Sequence, residues 1–149
     1  MTKQQESSLN HFFVTTFNQI LAWEERALQK AEIKNLSVKE LHIIEAVAGL
    51  EESNQNTMSY IAGKINISVG ALTTAVNTIV KKGYLERGSE PMDRRIVKVY
   101  LTDSGREAEK KHAIFHRQMI EEVGRVLDEN SLITLTDSLR QLATFFEKY

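Results

Sequence analysis

The chain has 149 residues, a formal net charge of −1, 42% apolar and 26% charged residues, one proline and no cysteine. That length and balance suit one folded domain with a sizeable core, and the missing cysteine excludes disulfides, thiolate metal ligands, a cysteine nucleophile and a thiol switch. No run of about 18 apolar residues marks a membrane span and no apolar core marks a signal peptide, so the expected compartment is the cytoplasm.

The polar start "MTKQQESS" is expected to be disordered. From Leu9 to about Lys30, the residues Leu9, Phe12, Phe13, Phe17, Ile20, Leu21 and Leu28 recur at the three- and four-residue spacing of a helix face. "SVKE" at 37–40 has the form of a capping box, Ser37 with Glu40. It opens a second helix with Leu41, Ile44, Val47 and Ala48 inward and Gly49 near its end. The polar connector "EESNQN" follows, and Thr57 then caps a short helix holding Met58, Ile61 and Ala62. In "KINIS", residues 64–68, a tight turn leads to Ser68, a cap for a helix that runs from Val69 to Lys82 and stops at Gly83. Two short helices so joined make a helix-turn-helix.

On the second of these, Leu72, Ala75, Val76 and Ile79 fall on one side, and Gly70, Thr73, Thr74, Asn77 and Lys81 on the other. Small hydroxyl and amide side chains with few charges fit a helix that approaches base edges in a DNA major groove, whereas a plain solvated face carries more Glu and Lys. "YLERG" and "IVKVYL" are β-branched and aromatic runs bounded by turn residues, and they predict a hairpin. A hairpin placed directly after a helix-turn-helix is a wing. Its tip carries Arg94 and Arg95, suited to a narrow minor groove, with Asp93 pairing with one arginine to aim the other. Lys64, Lys82 and Lys98 are read as phosphate contacts or solubilising charges. Residues 57–101 hold seven Lys and Arg against three Asp and Glu, while 1–56 hold five against eight and 102–149 seven against nine. A basic centre between acidic flanks points to an anionic partner for the centre.

"LTDSGRE" begins another helix, capped by Thr102 and running through Ala108, Ile114, Phe115, Met119 and Val123 to about Leu127. A last helix near residues 131–147 carries Leu132, Leu135, Leu139, Leu142, Phe145 and Phe146. The end helices hold more apolar surface than a small winged domain covers, which predicts a two-fold homodimer on a palindromic DNA site.

The stretch from "MSYIAGKINISVGALTTAVNTIVKKGYLER" through "DRRIVKVYLTDSGRE" resembles the MarR-type winged-helix repressors, and the likeness extends over nearly the whole chain. The resemblance implies a mainly α fold with a small β-hairpin wing: a single domain over 1–149, with a winged-helix DNA-binding part at 37–101 and dimerisation helices at 8–31 and 102–148. Carried onto this sequence, the family's DNA contacts fall on Ser68, Gly70, Thr73, Thr74, Asn77 and Lys81, and in the wing on Asp93, Arg94 and Arg95. "FNQILAWEERALQKAEIKNLSVKELHIIEAV" together with "AIFHRQM" is similar to the branch that represses type II fatty-acid synthesis genes. That likeness implies a long-chain acyl-acyl carrier protein acting as corepressor.

Two effector chemistries stay open. An acyl chain needs an apolar tunnel, with Phe13, Phe17, Leu21, Ile43, Ile114, Phe115 and Met119 as candidates, and the acidic carrier protein needs cations at its mouth, for which Lys110, Lys111 and Arg117 are available. Against this stands zinc. His112 and His116, four residues apart, share a helix face, and with His42 and either Glu24 or Glu25 they make an adequate donor set without cysteine. Zinc-sensing members of the family use ligands in similar places. A repressor released by small aromatic compounds is the further alternative. An enzyme is not expected, because there is no phosphate-binding glycine loop and no nucleophile motif. No resident cofactor is expected either.

Overall fold

The computed structural model describes residues 1–33 and 35–148. Its elements, in order, are α1 (Lys3–His11), a π-helical turn (Phe12–Thr16), α2 (Phe17–Lys30), α3 (Val38–Glu51), α4 (Met58–Lys64), α5 (Val69–Lys81), β1 (Leu85–Ser89), β2 (Val97–Leu101), α6 (Asp103–Val126) and α7 (Glu129–Phe146). The architecture is thus mainly α with one antiparallel hairpin, as expected. No described helix is long and apolar enough to cross a membrane. The chain forms two units, residues 1–113 and 114–149, and α6 runs through the division.

The polar start is ordered, contrary to the expectation of disorder. The Thr2 hydroxyl accepts from the Gln5 amide at 3.2 Å while the Gln5 side chain accepts from the Thr2 amide at 2.8 Å, a capping box that opens α1 at Lys3. The helix then passes through the π turn, where the Phe17 amide donates to the Phe12 carbonyl five residues back. Ser37 and Glu40 form the predicted box at the start of α3. The last helix starts two residues before its predicted start, because Asp128 accepts from the Ser131 amide at 2.8 Å.

The core of the first unit packs Leu41, Ile44 and Val47 of α3 against Ile61 of α4, against Leu72, Val76 and Ile79 of α5, and against Leu85 and Val99 of the hairpin. Burying an aliphatic side chain of this size stabilises by roughly 1.5–3 kcal/mol, so these contacts set where α5 and the hairpin lie. The hairpin pairs Leu85 with Leu101 through Ser89 with Val97. A third segment borders it. The Val99 amide donates to the Asn56 carbonyl at 2.9 Å, the Asn56 side chain donates to the Val99 carbonyl at 2.8 Å, and Thr57 bridges to Lys98.

Where α5 ends, Gly83 takes φ +83°, and the Gly83 and Tyr84 amides donate to the Val80 and Ile79 carbonyls. The start of α6 is fastened to this turn. The Thr102 hydroxyl donates to the Gly83 carbonyl at 2.6 Å and accepts from the Gly105 amide at 3.1 Å. A Cβ on Gly105 would stand 2.1 Å from the Tyr84 carbonyl oxygen. In the second unit the described part of α7 has no buried residue, and Ile133, Leu139, Phe145 and Phe146 are exposed.

Glu40 has a second task. Its two carboxylate oxygens accept from the Lys82 ammonium at 2.7 and 2.8 Å, tying the start of α3 to the end of α5. Burial raises the Glu40 carboxyl, but the hydrogen bonds from Lys82 and Ser37 outweigh it and hold the group below its ordinary 4.5.

Two outcomes are expected. Gly105→Ala destabilises by about 3 kcal/mol, since a backbone carbonyl cannot yield as a side chain would; a chemical denaturation curve overlapping that of the wild type would contradict it. Glu40→Gln loses roughly 1 kcal/mol at neutral pH. Because the folded-state pKa is depressed, that stabilisation is present above pH 4.5 and is lost as pH falls through the folded value, so the gap between variant and wild type closes in acid. Melting curves at a series of pH values read it directly.

Candidate nucleic-acid interface

The polar face of α5 is built by local chemistry and aimed by the core. Thr57 accepts from the Tyr60 amide to start α4, and Asn66, at φ +54°, turns the chain after it while the Ile67 amide donates to the Ala62 carbonyl. Ser68 then accepts from the Ala71 amide at 3.1 Å and starts α5. With Leu72, Val76 and Ile79 wholly buried, the opposite face is committed to solvent, and Ser68, Gly70, Thr73, Thr74, Asn77 and Lys81 are all exposed. Ala75 is half-buried at the border.

The hydroxyls on this face are not idle. Thr73 donates to the Val69 carbonyl at 2.8 Å, Thr74 to the Gly70 carbonyl at 3.4 Å and Thr78 to the Thr74 carbonyl at 3.2 Å. With their protons turned back into the helix, the hydroxyl oxygens face outward as acceptors, suited to the amino groups on base edges. A Cβ on Gly70 would meet nothing within 4 Å, so a partner backbone has room to approach there. The helix carries no acidic residue from Val69 to Lys81. Thr78 and, near the turn, Tyr60, Ile67 and Val69 are exposed as well, beyond the residues expected from the sequence. Thr78 lies where the predicted face ends, and only the packing of α5 shows that it faces outward.

At the wing, the Glu90 amide donates to the Ile96 carbonyl at 3.0 Å, and the Ile96 amide to the Asp93 carbonyl at 3.0 Å, which closes the tip. Asp93 accepts from both the backbone and the Nε of Arg95, at 3.0 and 3.2 Å. The expected pairing with one arginine is therefore made with Arg95, whose side chain is still 93% exposed, and Arg94 is exposed as well.

Lys98 departs from its expected role: it is 4% exposed, with its ammonium 2.7 Å from the Asn54 side-chain oxygen and ion-paired to Glu90, so it neither solubilises nor reaches a phosphate. Lys82 is exposed and ion-paired to Glu40. Lys64 is exposed.

Of the metal candidates, the first unit brings three together. The same Glu24 oxygen lies 2.9 Å from His42 Nε2 and 2.5 Å from His112 Nε2, joining α2, α3 and α6. Burial raises the Glu24 carboxyl, but hydrogen bonds from His112 and His42 outweigh it and hold the group below its ordinary value. One carboxylate oxygen facing two imidazole nitrogens is a donor set that a zinc ion accepts. Glu25 is exposed and is not among the grouped donors. His116 follows His112 by one turn of α6 and is half-buried in the second unit.

The residues taken for an apolar tunnel divide between the units. In the first, Ile43 is a core residue, Leu21 is half-buried, and Phe13 and Phe17 are exposed. In the second, Phe115 is buried, Met119 half-buried and Ile114 exposed. Of the cations, Lys111 pairs with Glu107 at 3.0 Å, Arg117 is exposed, and Lys110 lines an open crevice together with Lys64, Arg106, Glu45 and Glu109. That crevice is mixed in charge.

Residues 36–97 match the family model described as MarR family. The chain is 29% identical to Streptococcus pneumoniae FabT solved in complex with DNA, covering 96% of this chain and 98% of that one at a TM-score of 0.87. It is 26% identical over 113 residues to the HTH-type transcriptional regulator YvnA of Bacillus subtilis, covering 76% of this chain and 68% of that protein. It is 37% identical over 62 residues to the transcriptional regulator AdcR of Streptococcus pneumoniae, a match spanning 42% of this chain and 41% of AdcR. These are transcription regulators and not enzymes, in line with the absence of catalytic motifs. Residues 36–97 are thus a MarR-family domain, and the proteins that the chain resembles beyond it are transcription regulators.

Proposed function

We propose that the protein is a homodimeric repressor that reads a palindromic operator at fatty-acid synthesis genes, with long-chain acyl-acyl carrier protein as its corepressor. The observation that carries the DNA reading is the exposed, acid-free face of α5 beside two exposed arginines at the wing tip. On this reading Ser68, Gly70, Thr73, Thr74, Asn77 and Lys81 meet the major groove while Arg94 and Arg95, aimed by Asp93, meet the neighbouring minor groove. The near full-length likeness to FabT solved with DNA supports the same surface. Two copies are supported by the apolar side chains exposed on each unit, Phe12, Phe13 and Phe17 on the first and Ile133, Leu139, Phe145 and Phe146 on the second. Residues 8–31 and 102–148 are the dimerisation helices on this reading.

A zinc response is the second reading, and the meeting of Glu24, His42 and His112 favours it. The two readings separate in one experiment. Fluorescence anisotropy on a fatty-acid synthesis promoter fragment, with chelator present, is expected to show tighter binding on addition of long-chain acyl-acyl carrier protein. No response to the lipid, together with tightening or release by zinc at stoichiometric amounts, would replace the first reading by the second.

Replacing Arg95 by Ala is expected to weaken operator binding by about 1–3 kcal/mol and to leave the dimer intact. The same variant is expected to show a shallower fall of affinity with salt, by about one unit of slope if the guanidinium also neutralises a phosphate. Unchanged affinity would remove the wing from the interface.

A further inference from the structure

We propose that Lys98 is a positioning residue for DNA binding: its buried ammonium clamps the wing tip, through Glu90, to the connector ahead of α4, through Asn54. The inference rests on the reading of the wing as a DNA-contacting element.

A lysine is rarely buried, because removing an ammonium from water is costly unless good partners replace the water. Lys98 lies on the face of β2 opposite to Val97, Val99 and Leu101, and its side chain is 5% exposed. Its partners are placed at either end of a mechanical chain. Asn54 sits at φ +58° in the turn that ends α3, where its own amide donates to the Glu51 carbonyl and the Gln55 amide to the Leu50 carbonyl. The connector is thereby anchored on a core helix. Glu90 is the residue that closes the wing tip, its amide donating to Ile96 and its carbonyl accepting from Asp93 at 3.2 Å. Asp93 in turn holds the backbone and Nε of Arg95.

The path from α3 to the guanidinium therefore runs Asn54, Lys98, Glu90, Asp93, Arg95. Without the ammonium, the tip hangs on the end of a two-stranded ribbon, and such ribbons are marginal by themselves. A mobile tip must then be ordered when DNA binds, which lowers affinity.

The test is a double-mutant cycle on a duplex selected by the wild-type protein from a random-sequence pool. Lys98→Met and, as a milder variant, Asn54→Gly are each made in the native wing and in an Arg94→Ala/Arg95→Ala wing; glycine keeps the left-handed backbone at 54 and removes the side chain, with it the oxygen that meets the Lys98 ammonium. Both are expected to weaken binding in the native wing, Lys98→Met by about tenfold, and to cause no further loss when the arginines are absent. Trypsin is expected to cut after Arg94 and Arg95 faster in both variants, while cleavage outside residues 85–101 is unchanged. Equal losses in both wings, or no loss in the native wing, overturn the clamp. If Lys98→Met does not fold, the Asn54→Gly cycle decides. Should the arginine-free wing bind as tightly as the native one, it is the wing reading that fails, and the trypsin rates then decide the clamp independently.

Discussion

Burial of one face of α5 is the constraint on which the rest depends. Leu72, Val76 and Ile79 have no exposed surface, and they meet the equally enclosed Ile44, Val47, Ile61 and Val99. At 100° per residue this burial leaves no rotational choice for the other side of the helix, so Gly70, Thr73, Thr74 and Asn77 must face outward. The same burial sets where α5 stops. The turn at Gly83 hands the chain to β1 and gives its carbonyl to Thr102, so α5, the hairpin and the start of α6 share one junction.

Charge is divided between internal and external work. Among the seven cations of residues 57–101, Lys98 is buried and held by Glu90, while Lys82 is exposed and paired with Glu40. Lys64, Lys81, Arg87, Arg94 and Arg95 are exposed as well. The net charge of the whole chain says little about such a surface, because attraction to a polyanion depends on where the charges stand. Of the acids of the segment, Asp93 pairs with Arg95 and Glu90 with Lys98, and α5 itself has none.

The Glu24 node has a comparable double aspect. As it stands, one carboxylate oxygen holds two imidazoles and so ties α2 to α3 and α6 within the first unit. The same nitrogen and oxygen atoms are the donor types of a zinc site, and a metal would take the place of the protons that now bridge them. Geometry alone therefore supports both a structural tie and an effector site, and the two differ in what occupies the space between the atoms.

Local interactions were legible in the sequence because they reach only three or four residues. The boxes and caps at Ser37, Thr57 and Ser68, the stop at Gly83, the two faces of α5 and the arginines at a hairpin tip all follow from spacing. The same logic also applied at Thr2 and Gln5, where a capping box stood in a stretch whose polarity suggested disorder. What only the tertiary structure decided are the pairings across long separations: Lys98 with Asn54, Lys82 with Glu40, Glu24 with His112, the Asn56–Thr57 edge on β2, and Gly105 against the Tyr84 carbonyl. A charged side chain in a sequence carries no sign of whether its partner is water or another part of the fold. Lys98, read from the sequence as a phosphate contact or a solubilising charge, is instead an internal cation, because its partner Asn54 lies in a connector more than forty residues away.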